Sequence, residues 1–176
     1  MFWLMMKKKR FGGEMKDLNK NSDYELPLEL ELIFDNKKLD MFEYIVIIFL
    51  ATSQFKKRSV SIEQMVYYYT IFFSLNSKSK TPLIYKYNKD MKKIGEYLIS
   101  LSSLKLVEVI GTVDQPLNRI KVKLTNYGKE FIESIESETL LSFISDIANV
   151  MEEYSYDKNS PYLSKILYEG WTTNEN

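Results

Sequence analysis

Apolar residues recur every three or four positions through the middle of the chain, which is the spacing of helices. Residues 39–53 are apolar on nearly every side, so we expect them to form a central, buried helix. Residues 62–75 have one apolar face and predict a second helix, with Ser59 or Ser61 available to cap its first turn. A third helix is predicted to end near residue 103.

The third predicted helix follows a loop that is rich in serine and lysine. Asn88 or Asp90 is the expected cap, and residues 83–85 before it are expected to form a brief strand or a loose turn. The inward stripe of this helix consists of Met91, Ile94, Leu98 and Leu101. Its outward side carries lysines, which makes that side a candidate binding surface.

A β-hairpin is predicted directly after the third helix. Residues 106–110 form a run of strand-forming residues, and residues 119–124 alternate strictly between charged and aliphatic side chains. A turn that contains Asp114 and Pro116 joins the two strands. In the second strand, Arg119, Lys121 and Lys123 share one face, and Ile120, Val122 and Leu124 share the other.

Further helices are predicted on the C-terminal side of the hairpin. Thr125 is placed to cap the next helix, and Gly128 would let that helix approach the hairpin closely. Acidic helices continue from about residue 137, and Pro161 opens a last short helix.

Composition narrows the possible functions. Hydrophobic residues make up 45% and charged residues 27% of the 176 residues, as expected of a folded chain. The absence of cysteine and histidine excludes thiolate nucleophiles, imidazole acid–base catalysis and the usual zinc sites. The six glycines supply no phosphate-binding loop motif, and the paired carboxylates are expected on solvated faces. We therefore expect no enzyme activity, no cofactor and no metal.

Charge is balanced over the whole chain but segregated along it. Lysine and arginine total 24, as do aspartate and glutamate. Residues 54–129 carry 14 basic and 5 acidic side chains, whereas residues 130–176 carry 2 and 10. The basic segment predicts a surface for phosphate or an acidic partner, and the acidic segment predicts a surface for a basic partner. Solvated faces that happen to cluster are the alternative.

The candidate nucleic-acid surface combines the third helix with the hairpin. Its residues are Lys89, Lys92, Lys93, Arg119, Lys121 and Lys123. Because only three of the 24 cations are arginine, we expect sequence-independent contact with phosphates and not bidentate reading of bases. The alternative is that these side chains are simply outward on an amphipathic helix and hairpin.

A candidate partner surface lies on the second helix. Its residues are Tyr68, Ile71 and Leu75, which point away from an inward face that includes Tyr69 and Phe73. A small domain has too little interior to bury every face, so a partner subunit is expected to cover these side chains. The alternative is a thicker core that the C-terminal helices close.

The N-terminal part of the chain shows no export or membrane signal. Residues 1–6 are apolar but precede their positive charges, which is the reverse of a secretory signal. The longest apolar run, residues 44–51, is far shorter than the roughly 20 residues that span a bilayer. Residues 26–34 alternate and predict a short strand or an extended arm. We expect a cytoplasmic protein with no membrane contact.

Residues 39–138, with three predicted helices followed by a two-stranded wing, resemble a winged helix-turn-helix domain, and the stretch from residue 98 to residue 135 strengthens the resemblance. Residues 101–109 look like the end of a recognition helix that runs into the first wing strand, and residues 122–131 resemble the second wing strand and the Leu-Thr-x-x-Gly start of the next helix. The resemblance implies a mainly α fold with a small β-hairpin, namely a winged helix-turn-helix domain followed by C-terminal helices. It divides the chain into a flexible N-terminal arm (residues 1–24), a winged-helix domain (residues 25–138) and a C-terminal helical extension (residues 139–176).

Residues 39–50 and 56–71 resemble the small middle components of bacterial three-component ABC-ATPase systems, of which the Lamassu-type anti-phage complexes are an example. In that family a winged-helix subunit works with an SMC-like ATPase and an effector, often a nuclease. The resemblance implies a non-catalytic adaptor that bridges the ATPase and the effector, with DNA backbone contact as an additional role. The alternative is a transcription regulator that forms a homodimer through its C-terminal helices and binds an operator.

Overall fold

The computed structural model describes residues 36–76, 82–112 and 114–169, and this part of the chain is mainly helical with a small antiparallel sheet. The helices are α1 (Asn36–Ser53), α2 (Ile62–Asn76), α3 (Leu83–Ser103), α4 (Asn126–Glu133), α5 (Glu138–Glu153), α6 (Tyr156–Asn159) and α7 (Leu163–Glu169). The strands are β1 (Val60–Ser61), β2 (Val107–Ile110) and β3 (Lys121–Leu124), and short 3₁₀ turns cover Leu117–Arg119 and Ser160–Tyr162. The predicted fold class, mainly α with a small β-hairpin and C-terminal helices, is confirmed. The predicted arm and strand before residue 36 lie outside the described residues.

Helix α1 forms the centre of the core, as its all-round apolar sequence predicts. Tyr44, Ile45 and Ile48 on this helix are essentially inaccessible to solvent. The helix packs against α2, α4, α5 and β3, so each of its sides meets another element. Burying each such large apolar side chain is worth about 1.5–3 kcal/mol, which makes α1 a major source of packing energy in the fold.

The sheet joins the predicted hairpin to a strand that the sequence analysis did not predict. Within the described residues, β3 lies between β1 and β2 and pairs antiparallel with both. Val60 in β1 faces Val122, and Glu108 in β2 faces Lys123. A strand of two residues is too short to show a period of two in sequence, which is why the segment before α2 was expected to be only a polar connection.

Two helix starts decide between the predicted alternatives. The Ser61 hydroxyl accepts a hydrogen bond from the Gln64 amide at 3.2 Å, so Ser61 caps α2. Helix α3 begins at Leu83, directly after Pro82, so the predicted strand or turn at residues 83–85 is wrong. The predicted caps Asn88 and Asp90 are also wrong, because both residues lie within the helix. Proline fixes the backbone before the first turn, and this outweighs the capping preference of the later polar residues.

The junction between the hairpin and α4 has the geometry that its sequence predicts. The Thr125 hydroxyl accepts a hydrogen bond from the Gly128 amide at 2.9 Å and donates one to the Lys105 carbonyl oxygen at 2.6 Å. A β-carbon at Gly128 would collide with the backbone carbonyl of Leu106. Glycine therefore lets α4 lie directly against the chain that enters β2.

The C-terminal helices close the core over α2. Ile147 and Met151 on α5 are buried, and α5 packs against both α1 and α2. The Tyr156 amide at the start of α6 donates a hydrogen bond to the Tyr68 hydroxyl at 2.9 Å. Among the described residues, no helix is long and apolar enough to cross a membrane.

Candidate functional site

The outer face of α3 is a lysine-rich surface. Lys89, Lys92 and Lys93 are all exposed there, and none of them forms an ion pair with another described residue. These positions fall within one third of the helix circumference, because residues three and four apart share a face. Tyr85, one turn before them, is 68% exposed, and Ile99, two turns after them, is 70% exposed. The surface therefore combines unpaired positive charge with accessible apolar groups.

The hairpin contributes fewer free cations than its sequence predicts. Lys121 is exposed on β3, whereas Lys123 forms an ion pair with Glu108 at 3.0 Å. Arg119 is exposed but lies in the 3₁₀ turn before the strand, so the predicted face of three cations on one strand is wrong. Lys123 is paired because Glu108 stands directly opposite it in β2, and opposed residues in an antiparallel pair share a face.

The six predicted cations therefore form two groups on separate elements. Lys89, Lys92 and Lys93 lie together on α3, whereas Lys121 and the paired Lys123 lie on β3 and Arg119 lies in the 3₁₀ turn just before it. Arg58 is a further exposed cation, two residues before β1. It was missed because it is associated with the hairpin only through the pairing of β1 with β3, which the sequence did not reveal.

The predicted partner surface on α2 is largely interior. Tyr68 is 4% exposed and Ile71 is fully buried, so the prediction that a partner covers them is wrong. The alternative of a thicker core closed by the C-terminal helices is correct, since α5 and α6 cover this side of α2. Leu75, near the end of the helix, is 49% exposed. Phe73, predicted to face inward, is instead exposed and lies 4.3 Å from the Lys86 ammonium.

A polar network beneath α3 fixes that helix to the rest of the fold. The Asp40 carboxylate on α1 accepts hydrogen bonds from the Tyr69 hydroxyl at 2.6 Å and the Tyr97 hydroxyl at 2.7 Å. One carboxylate thus ties α1 to both α2 and α3. Hydrogen bonds to a charged acceptor are the stronger ones, so this contact holds the lysine-rich face in a defined orientation.

A second polar contact lies on α3 itself. The Lys86 ammonium pairs with the buried Asp90 at 2.6 Å and lies 4.2 Å above the Tyr69 ring. Burial raises the pKa of Asp90, and the hydrogen bond and charge of Lys86 oppose that increase. The Lys86 ammonium therefore contacts buried groups, and Lys86 does not belong to the outer lysine surface.

Metal-ligating side chains do not cluster in the described part of the chain. No group of three or more acidic side chains there is placed to hold a metal ion. The carboxylates Glu136, Glu138, Glu152 and Glu153 are exposed, as expected of solvated faces. No protein-family model matches the chain, and no curated protein or solved structure is similar to it.

Proposed function

We propose that the chain is a cytoplasmic winged helix-turn-helix subunit that contacts nucleic-acid phosphates without reading their sequence. The observation that carries this proposal is the unpaired lysine face of α3, which follows α2 and precedes the β-hairpin, as the recognition helix of a winged helix-turn-helix domain would. The β1–β3–β2 strand order supports it, because β1 anchors the hairpin beside α2. In DNA complexes of this class, the second helix and the wing meet the groove and the backbone together.

The type of cation supports phosphate contact and not base recognition. Lys89, Lys92, Lys93 and Lys121 are exposed point charges, and Arg119 is the only arginine among the six contacts that the sequence predicts. Lysine neutralises phosphate but lacks the planar fork that reads guanine. Such binding is strongly salt-dependent, since each neutralised phosphate releases counterions.

We further propose that the protein is a non-catalytic adaptor beside an SMC-like ATPase and a nuclease-type effector. The resemblance of residues 39–50 and 56–71 to the middle components of Lamassu-type systems supports this role. The exposed apolar side chains of Ile99 on α3 and of Leu104 directly after it are available for protein contact. Co-purification of the chain with an ATPase and an effector encoded by adjacent genes is the expected result. A protein that purifies alone, with no such neighbouring genes, would contradict the adaptor role.

The alternative, a regulator that dimerises through its C-terminal helices, receives less support. Leu140, Ile147 and Met151 on α5 are already buried within the same chain. The exposed residues of α5 are polar. A sequence-selective footprint on one operator, with no binding to unrelated DNA, would nevertheless establish that alternative.

Charge reversal on α3 tests the proposed nucleic-acid surface. We expect Lys89→Glu, Lys92→Glu and Lys93→Glu in one variant to abolish binding to a labelled duplex in fluorescence anisotropy. The matched control changes the exposed residues Lys129, Lys158 and Lys165 to glutamate, which alters the net charge equally on elements other than α3. We expect this control to retain most of its affinity. Equal losses in the two variants would show that net charge alone, and not the α3 surface, governs binding.

A further inference from the structure

A cavity lies directly behind the lysine-rich helix. It has a volume of about 610 Å³ and is bounded by the first half of α1, the last part of α2 and the first half of α3. Pockets of about 300–1,000 Å³ are the usual size for small-molecule sites. Its apolar lining includes Tyr69, Phe73 and Tyr97, so a ligand would meet aromatic surface as well as charge.

The wall formed by α1 is acidic. Asp40 and Glu43 both line the cavity, and their spacing of three residues places them on one face of the helix. Asp40 accepts the hydroxyls of Tyr69 and Tyr97, but it has no cationic partner among the described residues. Its negative charge is therefore hydrogen-bonded without being neutralised by an ion pair in this part of the chain.

Glu43 is a polar side chain without a partner. It is only 8% exposed, and it makes no hydrogen bond or ion pair with another residue that the structure describes. Burial, together with the charges of Asp40 and Asp90, raises the pKa of Glu43 to about 8, although Lys86 opposes this increase. A carboxyl group that lines a cavity and lacks a partner is what a ligand with a positive group would complete.

The wall formed by α3 supplies the opposite charge. Asp90 forms an ion pair with Lys86. Lys89 and Lys93 are the charged groups on this wall that form no ion pair with another described residue. Both are exposed at the cavity, and a spacing of four residues places their ammonium groups side by side on the helix. Two adjacent ammonium groups suit one carboxylate.

We propose that this cavity binds a free amino acid. The ammonium group of the ligand would lie against Asp40 and Glu43, its carboxylate against Lys89 and Lys93, and an apolar side chain against the aromatic lining. A simple amine would leave the lysines unmatched, and a simple carboxylic acid would leave the acidic wall unmatched. Only a ligand that carries both charges satisfies both walls.

Thermal unfolding of the full chain with each standard L-amino acid at millimolar concentration tests the proposal. We expect at least one apolar or aromatic amino acid, L-phenylalanine first, to raise the melting temperature, because a ligand that binds only the folded state stabilises it. Phenethylamine, which lacks the carboxylate, and phenylpropanoate, which lacks the ammonium group, are the matched analogues. Each should bind at least about tenfold more weakly in calorimetry, as the loss of a charged hydrogen bond requires.

Glu43 provides a readout that nonspecific binding would not give. Because Glu43 is largely protonated near neutral pH, an arriving ammonium group should displace its proton. Calorimetry in buffers of different ionisation enthalpy should therefore detect proton release by the wild type and none by Glu43→Gln. Glu96→Gln, on the exposed face of α3, makes the same substitution outside the cavity and should behave like the wild type.

Three results would overturn the proposal. They are the absence of stabilisation by every amino acid, single-charge analogues that bind as tightly as L-phenylalanine, and proton release that persists in Glu43→Gln. These experiments contain no nucleic acid, so a failure to bind DNA would leave their outcome unchanged. Conversely, loss of amino-acid binding would not affect the test of the outer lysine surface.

Discussion

At the scale of single residues, Glu43 shows how burial alters the behaviour of a carboxyl group. Its ordinary pKa of 4.5 rises to about 8 in the folded chain, chiefly because burial disfavours the charged form. Between these two pH values the folded state retains a proton that the unfolded state has lost. Rising pH therefore destabilises the folded state across this interval, and the loss is complete above about 8.

Glu43→Gln tests this linkage, because glutamine resembles the protonated form in shape and cannot ionise. We expect the free energy of unfolding of the variant, relative to the wild type, to increase as pH rises from 4.5 to about 8 and then to level off. Urea denaturation at a series of pH values measures this difference. Glu96→Gln is the control and should show no comparable trend, and a flat difference for Glu43→Gln would refute the linkage.

At the scale of elements, the contact between α4 and the hairpin depends on a missing side chain. Gly128→Ala would place a β-carbon against the Leu106 carbonyl, a backbone group that can move only with its strand. We expect a loss of about 1–3 kcal/mol in the free energy of unfolding, as for other overpacked sites. Chemical denaturation measures the change.

Gly95→Ala is the matched control for this substitution. Gly95 lies within α3, and a β-carbon there would meet nothing within 4 Å. Alanine is the better helix former, so we expect this variant to gain about 0.5–1 kcal/mol. If both variants were destabilised alike, the close approach of α4 to β2 would not be the cause.

The sequence predicted the elements whose local signals agree with their environment. The positions of α1 and α2, the hairpin and the Thr125 cap all follow from periodicity and capping chemistry. The structure departs from prediction where a distant segment decides the outcome. Strand β1 exists because β3 pairs with it, and Tyr68 is buried because α6 covers it. Neither effect leaves a pattern in the local sequence.

The candidate site was predicted in part for the same reason. The outward direction of Lys89, Lys92 and Lys93 follows from the helical period, and the structure places them on one exposed face. The ion pair between Lys123 and Glu108 depends on the register of the hairpin, which the sequence does not state. Likewise, Glu43 and the other charged residues of the cavity come together only because their helices meet in the folded chain.

At the scale of the whole molecule, the basic and acidic segments of the sequence place their charges on different elements of the fold. The unpaired lysines lie on α3, whereas the exposed carboxylates Glu138, Glu152 and Glu153 lie on α5. A uniform polyanion is attracted to the first surface and repelled by the second, so the protein should bind nucleic acid in one orientation. This asymmetry supports an adaptor that holds nucleic acid on one side and leaves the other side for a basic partner.

We propose that the outer face of α3 and the hairpin bind phosphates without regard to sequence. The most direct measurement is fluorescence anisotropy with two duplexes of equal length and unrelated sequence, over a series of salt concentrations. We predict equal affinities for the two duplexes and a logarithmic salt slope of about 0.9 for each phosphate contacted. A strong preference for one duplex, or an affinity that does not change with salt, would contradict the claim.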